Sequence, residues 1–304
     1  MSGPSLQHIW EYWAVRLMLW KWAWLPEGIA IRFGELTGLI AGSVLRIRRR
    51  DVDQHLALAF PDRRRAWRDR VARASYAHLG REAAMFFQMG GWTKERVVER
   101  VTFRGLERLR RAAETGEGAV LLTGHLGNWE IAGAAIAASG IALDVVGKGM
   151  ANRRFEADLF ETREKLGMRV IEMSDAPKGV LRALGKGRVV AILGDQNAHK
   201  SGVFVPFFGR QAATARGPAL FAIRAGAPVF VGVALRDPGW SQRYTVTIRQ
   251  MHFRPTGDVE ADTRLLLAEY TGALEDAVRQ EPEQYLWQHR RWKTRPPEEL
   301  QSRR

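Results

Sequence analysis

The chain contains no cysteine among its 304 residues. That excludes disulfides, thiol nucleophiles and cysteine-ligated zinc, and it fits a reducing compartment. Also missing are a Gly-x-Ser-x-Gly elbow, a Walker lysine loop, a Gly-x-Gly-x-x-Gly turn after a strand and a His-Glu-x-x-His helix. Serine hydrolase, P-loop nucleotidase, dinucleotide oxidoreductase and common zinc protease chemistry are therefore unsupported, and neither a metal nor a bound cofactor is expected. Acidic residues are in short supply: 33 Asp and Glu stand against 47 Lys and Arg, a formal net charge of +14. Such a balance suits nucleic acid, an anionic membrane surface or an acidic partner. Nucleic acid is the poorer match, because the chain has no helix-turn-helix or RNP-like aromatic strand and its N-terminus is apolar.

A long uncharged apolar run is lacking too. Residues 9–25 are rich in Trp, but Glu11, Arg16 and Lys21 interrupt them, short of the roughly 18 uncharged residues of a confident span. No small-residue cleavage site follows, so a signal peptide is not expected. Trp and Tyr favour the headgroup boundary. A second apolar stretch, 28–45, ends in Arg46-Ile47-Arg48-Arg49-Arg50, the pattern of a helix lying on anionic lipid. The other reading makes both stretches core helices. On the first, residues 1–50 form a membrane-associated segment and 51–304 a single domain. Residues 51–113 are helical in pattern and dense in Arg, mostly a solvated face.

From residue 118 the rhythm becomes strand–helix–strand. Strands are expected at 119–123, 143–147, 169–172, 188–193, 229–235 and 243–249, and helices near 129–139, 152–167, 176–186, 215–226 and 262–280. That alternation predicts an α/β fold with a mixed, mostly parallel sheet flanked by helices on both faces. Within it, Leu121-Leu122-Thr123-Gly124-His125-Leu126-Gly127-Asn128-Trp129-Glu130 places a His between a buried strand and a helix. Ligands of open α/β sheets bind beyond the carboxyl ends of strands, where His125 falls. Asn128 is a plausible helix N-cap, which would turn backbone N–H groups toward the same pocket. With His125 in the turn and Glu130 in the first helical turn, the carboxylate can reach an imidazole N–H, fix the tautomer and leave the other nitrogen as a base. The spacing alone is weak evidence, since a chain of this composition yields about one His-x4-acid match by chance.

Two further loops reach carboxyl ends of strands: Gly194-Asp195-Gln196-Asn197 and Gly147-Lys148-Gly149. Asp195 is either a turn residue or part of a site shared with His125. The stretch Gly202-Val203-Phe204-Val205-Pro206-Phe207-Phe208-Gly209 is too apolar for an exposed loop and reads as core or as the wall of an acyl-chain groove. A His/carboxylate pair without a nucleophile suits direct transfer to a hydroxyl that the base activates.

Taken in order, Gly124-His125-x4-Glu130, the Asp195 loop, residues 202–209 and the segment Pro282 to Pro296 (including Trp287-Gln288-His289-Arg290-Arg291-Trp292-Lys293) resemble the late acyltransferases of lipid A biosynthesis. His55-Leu56-Ala57-Leu58-Ala59-Phe60-Pro61 resembles a further segment of that family, which usually has Asn where His55 stands. The resemblance implies a glycerolipid acyltransferase-like fold on the cytoplasmic face of a bacterial inner membrane. It implies an enzyme that moves a fatty acyl group from acyl carrier protein to a hydroxyl of an anionic lipid A precursor. A different lipid acceptor, or acyl-CoA as donor, is the alternative within the superfamily. On this reading His125 is the general base, Glu130 its orienting partner, and Arg163, Asp195, Asn128, Lys148 and Arg291 contact substrate. An oxyanion would be met by backbone N–H groups of the 125–130 turn. Trp287 and Trp292 dock the C-terminal segment, and its basic residues either hold an anion or pack.

Overall fold

In the computed structural model the described residues are 25–297, except 148, 150–152 and 240, with the backbone alone for 153–155. Most of the Trp-rich stretch (9–24) and Lys148 therefore lie outside the described residues. Seven strands form one sheet in the order β1 (Val101–Arg104), β9 (Tyr244–Gln250), β8 (Val229–Arg236), β2 (Ala119–Thr123), β5 (Val189–Leu193), β3 (Leu143–Gly147), β4 (Arg169–Glu172). All neighbours run parallel except β8 and β9. β2 is central, and its first four residues are apolar and buried because both of its faces are covered. Its side chains alternate: Val120 and Leu122 join one buried cluster, Ala119 and Leu121 the other.

The first cluster is closed by α8 (Ala176–Leu184), α9 (Gly217–Ala225) and α10 (Val259–Gln280). The second is closed by α4 (Lys94–Glu99), α5 (Leu106–Glu114) and α6 (Trp129–Ala138). The expected mixed, mostly parallel sheet with helices on both faces is what forms. Three strands were not foreseen. β1 is four residues long, half exposed, and lies in a charged stretch that reads as helix. β6 (Val203–Phe207) and β7 (Arg210–Thr214) make a separate antiparallel hairpin. Val205, Phe207 and Phe208 of that hairpin are buried against Tyr285, Trp287 and Trp292, so the segment is core rather than the wall of a groove.

Helix α1 (Glu27–Leu39), continued by a π-turn over Ile40–Val44, packs along α3 (Arg65–Met89), whereas α2 (Arg49–Ala59) turns away by 88°. Small residues permit the α1–α3 contact: a Cβ on Gly38 would sit 2.0 Å from the Tyr76 carbonyl oxygen. The opposite face of α1 leaves Ile29, Phe33, Leu36, Ile40 and Val44 between 40 and 70 % exposed. No single helix among the described residues is long and apolar enough to cross a membrane; α1 with its π-turn meets that test only together with α2.

Candidate active site

The site is set by register. Thr123 and Leu193 are partners across β2 and β5, and the chains leave the sheet side by side. His125 and Asp195 each stand two residues past that pair. Gly124 makes this possible, since a Cβ there would lie 3.3 Å from the Asp195 carboxyl carbon and 2.8 Å from Leu274. The Asp195 carboxylate is 3 % exposed and accepts two hydrogen bonds from His125, one from Nδ1 at 2.7 Å and one from the backbone N–H at 2.9 Å. Nδ1 is thereby protonated, and Nε2 carries the lone pair. Burial pushes the His125 pKa down, but the charge and hydrogen bond of Asp195, with the charge of Glu130, more than offset this and raise it above the ordinary 6.5. Burial works to raise Asp195; the charge and hydrogen bonds of His125 and the charge of Arg291 hold it below 3.8.

The turn between β2 and α6 is pinned beneath the imidazole. Gly127 adopts φ +63°, and a Cβ there would fall 1.8 Å from the Ala234 carbonyl oxygen of β8. The Gly127 N–H donates to Gln284 O, Asn128 N–H to Ala234 O, and Leu286 N–H to His125 O. Asn128 caps α6 as expected, accepting from Ile131 N–H at 2.9 Å, while its amide donates to Glu82 at 2.7 Å. At 3 % exposure it supports the turn and does not reach substrate, which corrects its assignment as a substrate contact. The backbone donors of His125, Gly127, Asn128 and Ile131 all point to protein acceptors, so the oxyanion site expected of the turn is not built from these four.

Glu130 does not orient His125. Its carboxylate is bound bidentately by Arg163 of α7 (Arg153–Lys165), at 3.0 Å to Nε and 2.6 Å to Nη2, and accepts from Trp129 Nε1 at 3.0 Å. Three donors leave it aimed at the guanidinium, and Asp195 takes the imidazole bond that the sequence reading gave to Glu130. Asp195, expected among the substrate contacts, is instead buried against the imidazole. Arg291 is also corrected: 1 % exposed, it donates to Ala213 O at 2.7 Å and to Thr214 Oγ1 at 2.6 Å, tying β7 to the C-terminal segment. Trp287 and Trp292 are buried as expected, Trp287 donating to Pro282 O at 2.6 Å.

Beside the dyad lies a cleft that no motif announced. The α6 sequence WEIAGAAIAA carries few large side chains. It therefore leaves a gap over the sheet, walled by Ala132, Gly133, Ile136, Val145, Ala191 and Gly232 among others. The cleft is a narrow slot, with a cavity volume of about 40 Å³. Its polar lining is Thr123, Glu130 and Arg163, toward the carboxyl ends of the strands, and Trp129 joins it to His125 through ring contact at 4.8 Å. Further groups escaped the sequence reading because they lie on elements far apart in the chain. Gln196 Nε2 stands 3.2 Å from His125 Nε2, and His289 Nε2 accepts from Asn197 N–H at 2.9 Å. Below the turn, Glu82 of α3 is bonded by Arg236 at 2.7 Å and by Tyr244 at 2.8 Å. An Arg closing the apolar strand VFVGVALR was the one available signal.

A histidine bonded to a buried carboxylate thus stands at the carboxyl edge of the α/β sheet, close to an apolar cleft. A family model, bacterial lipid A biosynthesis acyltransferase, matches residues 3–294, and the chain belongs to that family. It is an acyltransferase. Among curated relatives, the lipid A biosynthesis palmitoleoyltransferase of Escherichia coli K12 is 25 % identical over 94 % of this chain and 92 % of its own length. The lauroyltransferase of the same organism is 26 % identical over 94 % and 93 %. A phosphatidylinositol mannoside acyltransferase of Mycolicibacterium smegmatis is 29 % identical over 65 % and 64 %.

Proposed function

We propose that the chain transfers a fatty acyl group from an acyl carrier protein thioester to a hydroxyl of an anionic lipid A precursor, with His125 as general base. The observation that carries this is His125, its Nδ1 held by Asp195, in ring contact with Trp129, which lines the apolar cleft. The acceptor O–H gives its proton to Nε2 as its oxygen attacks the thioester carbonyl carbon. The tetrahedral intermediate then expels the thiolate, which recovers the proton from the imidazolium. Asp195 stabilises that imidazolium, as a buried carboxylate partner does for a catalytic His. Glu130 and Arg163 act at the cleft mouth, Arg163 as the cation near the thioester oxygen. The acyl chain occupies the cleft beneath α6.

The exposed apolar line Ile29–Val44, followed by exposed Arg46, Arg48 and Arg50, supports placement on the cytoplasmic face of the inner membrane, where apolar side chains and cations meet anionic lipid together. An excess of positive charge also favours encounter with an acidic carrier protein. The mycobacterial relative supports a second reading, acylation of a mannosylated phosphoinositide. Both are tested in one matrix: acyl carrier protein and CoA thioesters as donors, lipid A precursor, phosphatidylinositol mannoside and lysolipids as acceptors. The first reading expects turnover with the carrier-protein donor and lipid A precursor, lost about 10²–10⁴-fold in His125→Ala. Turnover confined to another acceptor, or retained in His125→Ala, overturns it.

A further inference from the structure

The imidazole of His125 is gripped from two sides. Asp195 accepts from Nδ1–H, so only a donor can approach the lone pair on Nε2, and the group there is the side-chain amide of Gln196 at 3.2 Å. The Gln196 side chain is exposed, but its backbone is anchored. Its carbonyl accepts from the buried Arg291 at 3.4 Å, the next N–H is taken by His289 at 2.9 Å, and Asn197 Nδ2 donates to Thr294 at 3.1 Å. A side chain free in solvent on a fixed stem is able to leave the imidazole and return to it.

We propose that Gln196 is a positioning residue for the base: its amide donates to Nε2 of His125 in the unliganded site, holds the ring neutral and oriented, and yields that place to the acceptor hydroxyl. This rests on reading His125 as the base. An N–H given to a lone pair stabilises the neutral ring and is lost on protonation, so Gln196 opposes Asp195, which favours the imidazolium. The other charged or titratable groups around the ring are Glu130 with Arg163 from the α6 and α7 side, His289, Arg291 and Tyr285 from the C-terminal segment, and Tyr270 from α10. Of these, His289 acts on His125 directly as well as on Asp195.

The test is an NMR titration of the full chain labelled with ¹⁵N-histidine, in detergent and without substrate, with the His125 signal assigned by its loss in His125→Gln. Gln196→Ala is expected to raise the His125 midpoint by about half a unit to one unit, the scale of one hydrogen bond. Gln196→Glu, which places an anion at Nε2, is expected to raise it further, and the acid limb of kcat/KM moves with it in both variants. A merely structural residue would leave this midpoint in place. An unchanged or lowered midpoint in Gln196→Ala overturns the proposal, whatever Gln196→Glu shows, because an added carboxylate raises the midpoint by charge alone. Absence of acyl transfer by the unaltered chain would count against the functional reading alone, because the titration is read without substrate.

Discussion

Two histidines sit beside buried carboxylates on opposite sides of the same turn, and they behave in opposite ways. His125 has Asp195, whose two oxygens both bond to His125 itself, and its pKa is raised. His78 has Glu82 at 3.5 Å, yet burial, reinforced by the charges of Arg236 and Arg81, outweighs Glu82 and lowers its pKa. The difference is what else the carboxylate serves. Glu82 is bonded by Arg236, Tyr244 and Asn128, and its charge is answered by a guanidinium. Among the described residues no arginine or lysine pairs with Asp195, so its charge acts on a proton held by His125. Glu130 follows the pattern of Glu82: committed to Arg163, it has no oxygen aimed at the imidazole. Proximity of a carboxylate does not by itself raise a histidine's pKa; here the carboxylate that does so is the one not paired with a guanidinium.

The comparison breaks most sharply at the carboxylates. Asp195→Asn is expected to lower kcat about 10²–10⁴-fold and to move the acid limb of kcat/KM to lower pH, while Glu130→Gln shifts that limb only slightly. Equal shifts in the two variants would return the orienting role to Glu130. Glu82→Gln leaves the buried Arg236 without its charge partner, a loss of about 3–5 kcal/mol in urea unfolding. The acid limb of its folded fraction stays where it was; a moved limb would mean that the buried cluster tunes the base directly. Gly127→Ala drives a Cβ into the Ala234 carbonyl at positive φ and is expected to cost about 1–3 kcal/mol. A variant as stable as the parent would mean that the turn is not pinned by this contact.

The smallest effect is the pH dependence of stability, measured by thermal unfolding. The native pKa of His125 is raised, so its contribution is complete below the unfolded value of 6.5 and is lost as pH rises through the native value. If His125 acts as the proposed base, activity is expected to grow across that same window, because a base must be neutral. His78 has a lowered native pKa, so its unfolded form binds the proton first and stability falls as pH drops below 6.5. Asp195→Asn is expected to abolish the first slope and His78→Phe the second. Parallel slopes in the two variants would erase the contrast between the histidines.

Much of this was legible along the chain. The apolar runs at 119–123, 143–147 and 189–193 declare strands because both sheet faces are covered, and the His after the first run declares a site. Asn128 announced the helix cap. The choice between Glu130 and Asp195 was not legible. Five residues of separation allow Glu130 to reach His125, and nothing local reveals that Arg163, 33 positions later, claims it first. Asp195, 70 positions from His125, becomes its partner only through the pairing of Thr123 with Leu193. The cleft was equally hidden, because small residues in a helix read as tight packing until the strands beneath prove small as well.

By itself the sequence determined the strand–helix alternation, the placing of His125 past the central strand, the basic character and the lack of any thiol. Those are properties of local pattern and composition, which the chain carries wherever it folds. Tertiary structure alone decided which carboxylate holds the imidazole, which arginines are structural struts and where the apolar cleft opens. Each of those is a competition among groups distant in sequence for the same few donors, acceptors and volumes, and strand register and burial settle the winner.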